Sequence, residues 1–188
     1  MTRIVAGVAG GRRIAVPRDF SGRPTSERAR EGLFATLYTL HGPLDGARVA
    51  DLYAGTGAVG LEAVSRGAAH ALLVESDRRA AQALTKNARA LGLDAAVSVV
   101  SGKVERLVAA PPAGGPYDVA FLDPPYHLPA SELVGVLSAM SANGWFVPRA
   151  VVVVERSSRD EPFPWPERIE PDRSRRYGDA TFWYGHAV

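Results

Sequence analysis

No cysteine occurs among the 188 residues. That absence excludes disulfides, cysteine-ligated zinc, iron–sulfur clusters and a cysteine nucleophile. Long hydrophobic runs are missing as well. The longest, Ala150–Val154, is strand-length, far short of the roughly 18 consecutive apolar residues that a membrane-spanning helix needs. Met1-Thr2-Arg3 leads into no apolar stretch, so no secretory signal is expected, and the cytoplasm is the expected address. The histidines (His41, His70, His127, His186) stand apart from one another, and no metal site is expected. His127 reads as a loop residue. What is present is ordinary for a globular protein: 46% hydrophobic and 22% charged residues. At roughly 100–200 residues per domain, the length argues for one domain with an appendage and a sizeable core.

Lysine is scarce, for 20 of the 22 basic residues are arginine. The net charge of +2 is unevenly spread. Residues 1–30 carry seven arginines against Asp19 and Glu27, a net of +5; residues 31–155 sum to −3, and residues 156–188 balance. A basic arm on a slightly acidic body suits a polyanionic partner.

Periodicity organises the chain. Arg3–Val8 and Arg13–Val16 read as short strands around Gly10-Gly11, a hairpin signal. Thr25 is placed to cap a helix running to about Leu40. From Arg48 strands alternate with helices. Val49–Tyr53, Ala71–Glu75, Ala96–Val100, Val119–Asp123 and Val151–Glu155 read as buried strands. Val59–Ser65, Arg78–Leu91, Val104–Val108 and Ser131–Met140 have helical spacing. Such alternation predicts an α/β fold with a mostly parallel sheet covered on both faces. Ile169–Glu170 and Ala180–Tyr184 are expected to close it as an antiparallel pair.

The first of these strands leads into Asp51-Leu52-Tyr53-Ala54-Gly55-Thr56-Gly57-Ala58-Val59-Gly60. Gly55, Gly57 and Gly60 have the spacing of a nucleotide loop between strand and helix. About 20 residues later Glu75 ends the second strand, where a carboxylate can accept hydrogen bonds from both ribose hydroxyls. Asp51 separates two cofactors. It would repel the pyrophosphate of NAD, whereas it suits the ammonium and sulfonium of S-adenosylmethionine.

The fourth strand ends in Asp123-Pro124-Pro125-Tyr126. Here the sequence resembles the class I methyltransferases that modify exocyclic amines, with their [Asn/Asp/Ser]-Pro-Pro-[Tyr/Phe/Trp] signature. The chemistry accounts for the residues. Asp123 and the Pro124 carbonyl can each accept one N–H of the amine, which favours a pyramidal nitrogen. Two prolines preorganise those acceptors. Tyr126 offers a flat face for a base.

A closer resemblance spans almost the whole chain. Arg3–Gly7, Gly10-Gly11-Arg12-Arg13-Ile14, Arg23–Glu31, Asp51–Gly60 and Asp123–Tyr126 occur in the order found in the RNA small-subunit methyltransferase D family. The resemblance implies a Rossmann-like class I fold with a seven-stranded, mostly parallel sheet and an N-terminal hairpin and helix extension. It implies methyl transfer from S-adenosylmethionine to N2 of one guanine of bacterial 16S rRNA, guanine 966 in conventional numbering, in the assembled 30S subunit or a late intermediate. Cofactor contacts are expected from Asp51, Tyr53, Ala54, Gly55, Thr56, Gly57, Glu75, Ser76, Lys103, Val104 and Asp123. The target amine is expected at Asp123, Pro124, Pro125 and Tyr126. RNA contacts are expected from Arg12, Arg13, Arg23, Thr25, Arg28 and Arg30. Residues 1–45 would then dock RNA, residues 46–188 would form the methyltransferase domain, and a monomer is expected. Ser101-Gly102-Lys103-Val104 lacks the acidic or amide side chain often used to read adenine, leaving that work to the backbone. A DNA adenine-N6 methyltransferase, a release-factor methyltransferase, an NAD-dependent oxidoreductase and a non-catalytic RNA-binding module are the competing readings.

Overall fold

A computed structural model of the protein describes residues 2–18, 20, 22 and 25–188. Strands β1 (Thr2–Arg3) and β2 (Arg13–Ile14) pair antiparallel. Helix α1 (Glu27–Leu40) follows. The alternating region comprises β3 (Arg48–Leu52), α2 (Ala58–Ser65), β4 (His70–Glu75), α3 (Arg78–Leu91), β5 (Val97–Ser101), α4 (Val104–Leu107), β6 (Tyr117–Leu122), α5 (Ala130–Ala142) and β7 (Phe146–Ser157). The tail forms β8 (Ile169–Tyr177) and β9 (Ala180–Ala187).

The large sheet has seven strands in the order β5-β4-β3-β6-β7-β9-β8. β3 to β7 run parallel, and β9 lies antiparallel between β7 and β8. This is the Rossmann-like arrangement expected. Strand alternation divides the core. Leu52, Val74, Leu122 and Val154 meet α4 and α5 on one face. On the other, Val49, Phe121 and Val153 pack under α1, and Leu73 packs with α2 and α3. β3 has β4 on one side and β6 on the other, so the crevice at their carboxyl ends is the topological switch point, where such sheets bind ligands. Among the described residues, no helix is long and apolar enough to cross a membrane.

Three local expectations are revised. The N-terminal strands shrink to two residues each: beyond the Ile4 N–H to Arg12 carbonyl bond (2.9 Å) and the Gly11 N–H to Ile4 carbonyl bond (2.8 Å), the intervening residues turn and bond to α2. Val8 N–H donates to the Ser65 carbonyl at 2.8 Å, Ala9 N–H to Ser65 Oγ at 2.9 Å, and Ser65 Oγ to the Ala6 carbonyl at 2.6 Å. At Gly7 (φ 85°) a Cβ would fall 1.7 Å from the Ser65 carbonyl oxygen, so only glycine permits that approach. Ser26, not Thr25, caps α1, accepting from Ala29 N–H at 3.2 Å. β8 is far longer than Ile169–Glu170. It is an edge strand with charged residues and Pro171 along its length, a pattern that protects an edge but hides the strand from hydrophobic periodicity.

Candidate active site

The parallel register sets Leu52 beside Val74 and Leu122, and Leu122 beside Val154. The next residues along these strands are Tyr53, Glu75, Asp123 and Glu155, so four side chains of polar chemistry gather at one carboxyl edge. Asp51 lies beneath them. By strand alternation it shares a face with Glu75, Asp123 and Glu155.

The loop after β3 turns sharply. Tyr53, Gly55 and Gly57 all have positive φ (66°, 56° and 90°). A Cβ on Gly57 would sit 2.9 Å from Leu84 Cγ, and one on Gly60 would sit 2.7 Å from the Leu73 side chain. Those two glycines let α2 close on β4 and α3. Gly55 is shaped differently. Its nearest obstacle would be the ring of Phe20, 3.1 Å from a built Cβ, which brings the N-terminal segment over the glycine loop. Thr56 is buried, and its carbonyl accepts from Asn87 Nδ2 at 3.1 Å.

Backbone amides hold the acids on this side. Gly55 N–H donates to Glu75 Oε2 at 2.8 Å, and Asp77 N–H donates to Glu75 Oε1 at 2.7 Å. Each oxygen keeps acceptor capacity, since a carboxylate offers about four lone-pair sites. Gly60 N–H donates to Asp51 Oδ2 at 2.8 Å. Burial nevertheless pushes the Asp51 carboxyl up to about 8; the Gly60 amide opposes this, and the charges of Asp123 and Glu75 add to it. At that value the carboxyl is protonated at neutral pH, and only a cation beside it would favour its ionised form.

Among the described residues, no backbone amide donates to the acids of the other side. Asp123 is half-buried and pushed up to about 7 by burial. Pro124 is buried beneath it, while Pro125 and Tyr126 are exposed; Leu128 N–H donates to the Pro125 carbonyl at 2.9 Å to close the turn. Glu155 is 6% exposed, accepts from the Thr25 hydroxyl at 3.4 Å, and is pushed up to about 9 by burial and then by Asp123.

The remaining expected cofactor residues line the same edge. Tyr53 donates its hydroxyl proton to Glu105 Oε1 at 2.9 Å, and burial raises its phenol. Ala54 N–H donates to the Val74 carbonyl at 2.8 Å. Ser76 and Lys103 are exposed, Lys103 heads α4, and Val104 is buried in the core. Gly102 N–H donates to the Glu75 carbonyl at 2.9 Å, tying the end of β5 to that of β4.

The expected RNA residues divide. Arg13 and Arg28 are exposed, and Arg23 lies outside the described residues. Arg30 is wholly buried. It pairs with Glu62 at 3.0 Å, donates to the Thr25 carbonyl at 2.8 Å and to Thr2 Oγ1 at 3.2 Å, and also bonds the Arg3 carbonyl. A guanidinium with four internal acceptors holds the fold together and is withdrawn from the RNA surface. Thr25, buried on Glu155, is withdrawn too. Arg12 is exposed, but its guanidinium is engaged at the end of α3, on the Leu91 carbonyl at 2.8 Å and on that of Ala90.

Two site residues escaped the sequence reading. Asn87 joins the glycine loop to Ala15, accepting from its N–H at 2.9 Å and donating to its carbonyl at 2.9 Å. The signal was present, for Asn87 is a polar residue on the apolar stripe of α3. Glu155 reads only as a strand end; a carboxylate closing the Val151–Val154 run was its signal.

The family model described as Conserved hypothetical protein 95 matches residues 2–186. The chain is 37% identical over 153 residues to ribosomal RNA small subunit methyltransferase D of Escherichia coli strain K12, covering 81% of this chain and 73% of that protein. With the protein of the same name from Haemophilus influenzae the identity is 33% over 166 residues, covering 88% and 83%. The solved structure of yhhF from Escherichia coli superposes with a TM-score of 0.85 at 30% identity, covering 99% of this chain and 97% of that one. An RNA methyltransferase from Salinibacter ruber, solved with S-adenosyl-L-homocysteine, has a TM-score of 0.63 at 18% identity over 88% of this chain and 94% of that one, a likeness of fold.

Proposed function

Because the chain belongs to the ribosomal RNA small subunit methyltransferase D family, we propose that it transfers a methyl group from S-adenosylmethionine to the exocyclic N2 of one guanine of bacterial 16S rRNA. In this reading the target is guanine 966, presented by the 30S subunit or its late assembly intermediate. The observation that carries this reading is the meeting of the glycine loop, Glu75 and Asp123-Pro124-Pro125-Tyr126 at one switch point.

The residues fit such a cofactor. Buried Asp51 calls for a cation beside it, Glu75 keeps lone pairs for ribose hydroxyls, and the turn at Gly55–Gly57 brings backbone close to a ligand. When bound, the cofactor supplies an electrophilic methyl group. The chain does the rest. Asp123 and the Pro124 carbonyl accept the N–H bonds of the target amine and orient its lone pair. Tyr126, 57% exposed, offers the base its ring. Asp123 becomes the acceptor of positive charge as it develops on nitrogen.

Exposed Arg13 and Arg28 form the RNA-docking part of residues 1–45, while residues 46–188 hold cofactor and base. The protein acts as a cytoplasmic monomer in this reading. The test is incubation with labelled S-adenosylmethionine and, separately, naked rRNA, undermodified small subunits, DNA and release factor. N2-methylguanosine in the small subunits is the expected product. Methyladenine in DNA or methylglutamine in release factor would replace this reading.

A further inference from the structure

Glu155 is a buried acid that the chemistry above leaves unused. It occupies the position after Val154, and Asp123 the position after Leu122, on strands that pair Leu122 with Val154. Neighbouring strands lie about 4.8 Å apart, so the two acids stand side by side on one face of the sheet. Around Glu155, β6 presents Asp123, the segment ahead of α1 presents the Thr25 hydroxyl at 3.4 Å, and β9 presents apolar Phe182. Arg156, next on β7, points to the opposite face and pairs with Asp160 at 3.1 Å. On its far side Asp123 faces Asp51, and Glu75 beyond it.

We propose that Glu155 is a positioning residue for Asp123: in its protonated form it donates to the Asp123 carboxylate and aims the free oxygen at the target amine. The proposal rests on the amine-methylation reading. In the step it serves, the amine lone pair forms the N–C bond, the C–S bond breaks with its electrons left on sulfur, and the nitrogen's surplus proton passes to Asp123. Burial and geometry assign the order of ionisation. Asp123, the less enclosed of the two, ionises first, near 7; burial, and then the charge of Asp123, hold the proton on Glu155 up to about 9. Between those values the pair carries one charge and one proton, which is the state that both accepts from an amine and fixes its own orientation. Thr25 holds Glu155 in place, so the residue that ends the N-terminal segment is tied to the target side of the site.

The experiment combines carboxyl NMR titration of the free protein with single-turnover pH profiles on small subunits, for wild type, Glu155→Gln and Glu155→Ala. With the Asp51 step near 8 assigned separately, the Asp123–Glu155 pair of wild type should titrate in two steps, near 7 and near 9, with methyl transfer rising through the first and falling through the second. Glu155→Gln keeps a donor. It should retain neutral-pH activity within about twofold, keep the lower step and lose the upper one. Glu155→Ala should lower kcat about tenfold, the scale of one hydrogen bond, with KM for S-adenosylmethionine unchanged. Should the alanine variant fail to fold, the glutamine profile alone decides. A step near 9 that survives in Glu155→Gln beside the Asp51 step, or unshifted titration of both acids of the pair in wild type, overturns the proposal. If wild type methylates none of the RNA substrates, the reading of function falls, while the titration of the free protein still judges the pair.

Discussion

The carboxyl edge of the sheet has two halves that treat their acids differently. On the half proposed to hold the cofactor, Glu75 and Asp51 receive backbone N–H groups from the loops at 2.7–2.8 Å, which fix their orientation. On the half proposed for the target amine, Glu155 receives the Thr25 hydroxyl, and among the described residues no backbone N–H donates to it or to Asp123 beside it. Proton affinity follows burial on both halves: Asp51, Asp123 and Glu155 are pushed up to about 8, 7 and 9, and at Asp51 the Gly60 amide only partly opposes the effect. A cofactor site gains from fixed acceptors. A site that must take up a proton gains from an acid with affinity for one.

The largest expected effect lies on the target half. Asp123→Ala should lower turnover by about 100- to 1,000-fold, the scale for removing a preorganised partner of developing charge, with a much smaller loss of cofactor affinity. Single-turnover kinetics beside calorimetry separates the two quantities. Equal losses in both would erase the distinction between the halves.

Asp51 comes next. A cation favours its ionised form, so binding below about pH 8 must displace a proton. Affinity for S-adenosylmethionine should therefore strengthen as pH rises, by up to about tenfold per unit, and level off above pH 8. Asp51→Asn should bind about 2 kcal/mol more weakly near pH 8, with a flatter profile, as expected for loss of a charge-assisted contact. Stability has the opposite sign. With a folded-state value raised above the unfolded one, the ligand-free fold is favoured by this group at low pH and loses that contribution as pH rises towards 8. Thermal denaturation at pH 9 should then find ligand-free Asp51→Asn more stable than wild type.

Glu75→Ala should weaken cofactor binding by roughly 1–3 kcal/mol, through missing hydroxyl partners and a loosened Gly55 amide. Unchanged affinity in calorimetry would remove Glu75 from the cofactor half.

Outside the edge, charge reversal at Arg13 and Arg28 should weaken binding to the small subunit and make its salt dependence shallower, by about one unit for each phosphate no longer gripped. Point changes are the right instrument. Deleting the segment would take Ile4 and Ile14 from the core, unpair Asn87 and lift Phe20 from Gly55, so it would disturb fold and cofactor site together. The smallest effect is expected at His127, which is exposed and unneeded by an amine that attacks in its neutral form. His127→Gln should keep activity within about twofold in the same methylation assay; near-complete loss would demand a different proton acceptor.

Local pattern made much of this readable. The strand–helix alternation, the glycine spacing after β3 and the carboxylate ending β4 each depend on residues close in sequence, and each lies where periodicity puts it. The helix starts one residue later than Thr25 predicts, because Ser26 is the better cap and Thr25 is taken by the distant Glu155. β8 escaped because an edge strand buries few side chains, leaving no period-two signal to find.

The class of fold, the glycine turn and the acids that end the strands were all set by sequence alone, because hydrophobic period and backbone conformation are properties of neighbouring residues. Tertiary packing settled which charges face outward and what they meet. Arg13 and Arg30 look alike as letters, yet one is exposed and the other is sealed against Glu62. Glu155, 32 residues from Asp123, becomes its neighbour only through the parallel pairing of β6 with β7. Burial and electrostatic proximity depend on where the whole chain places its parts, and no local window of sequence contains that distance.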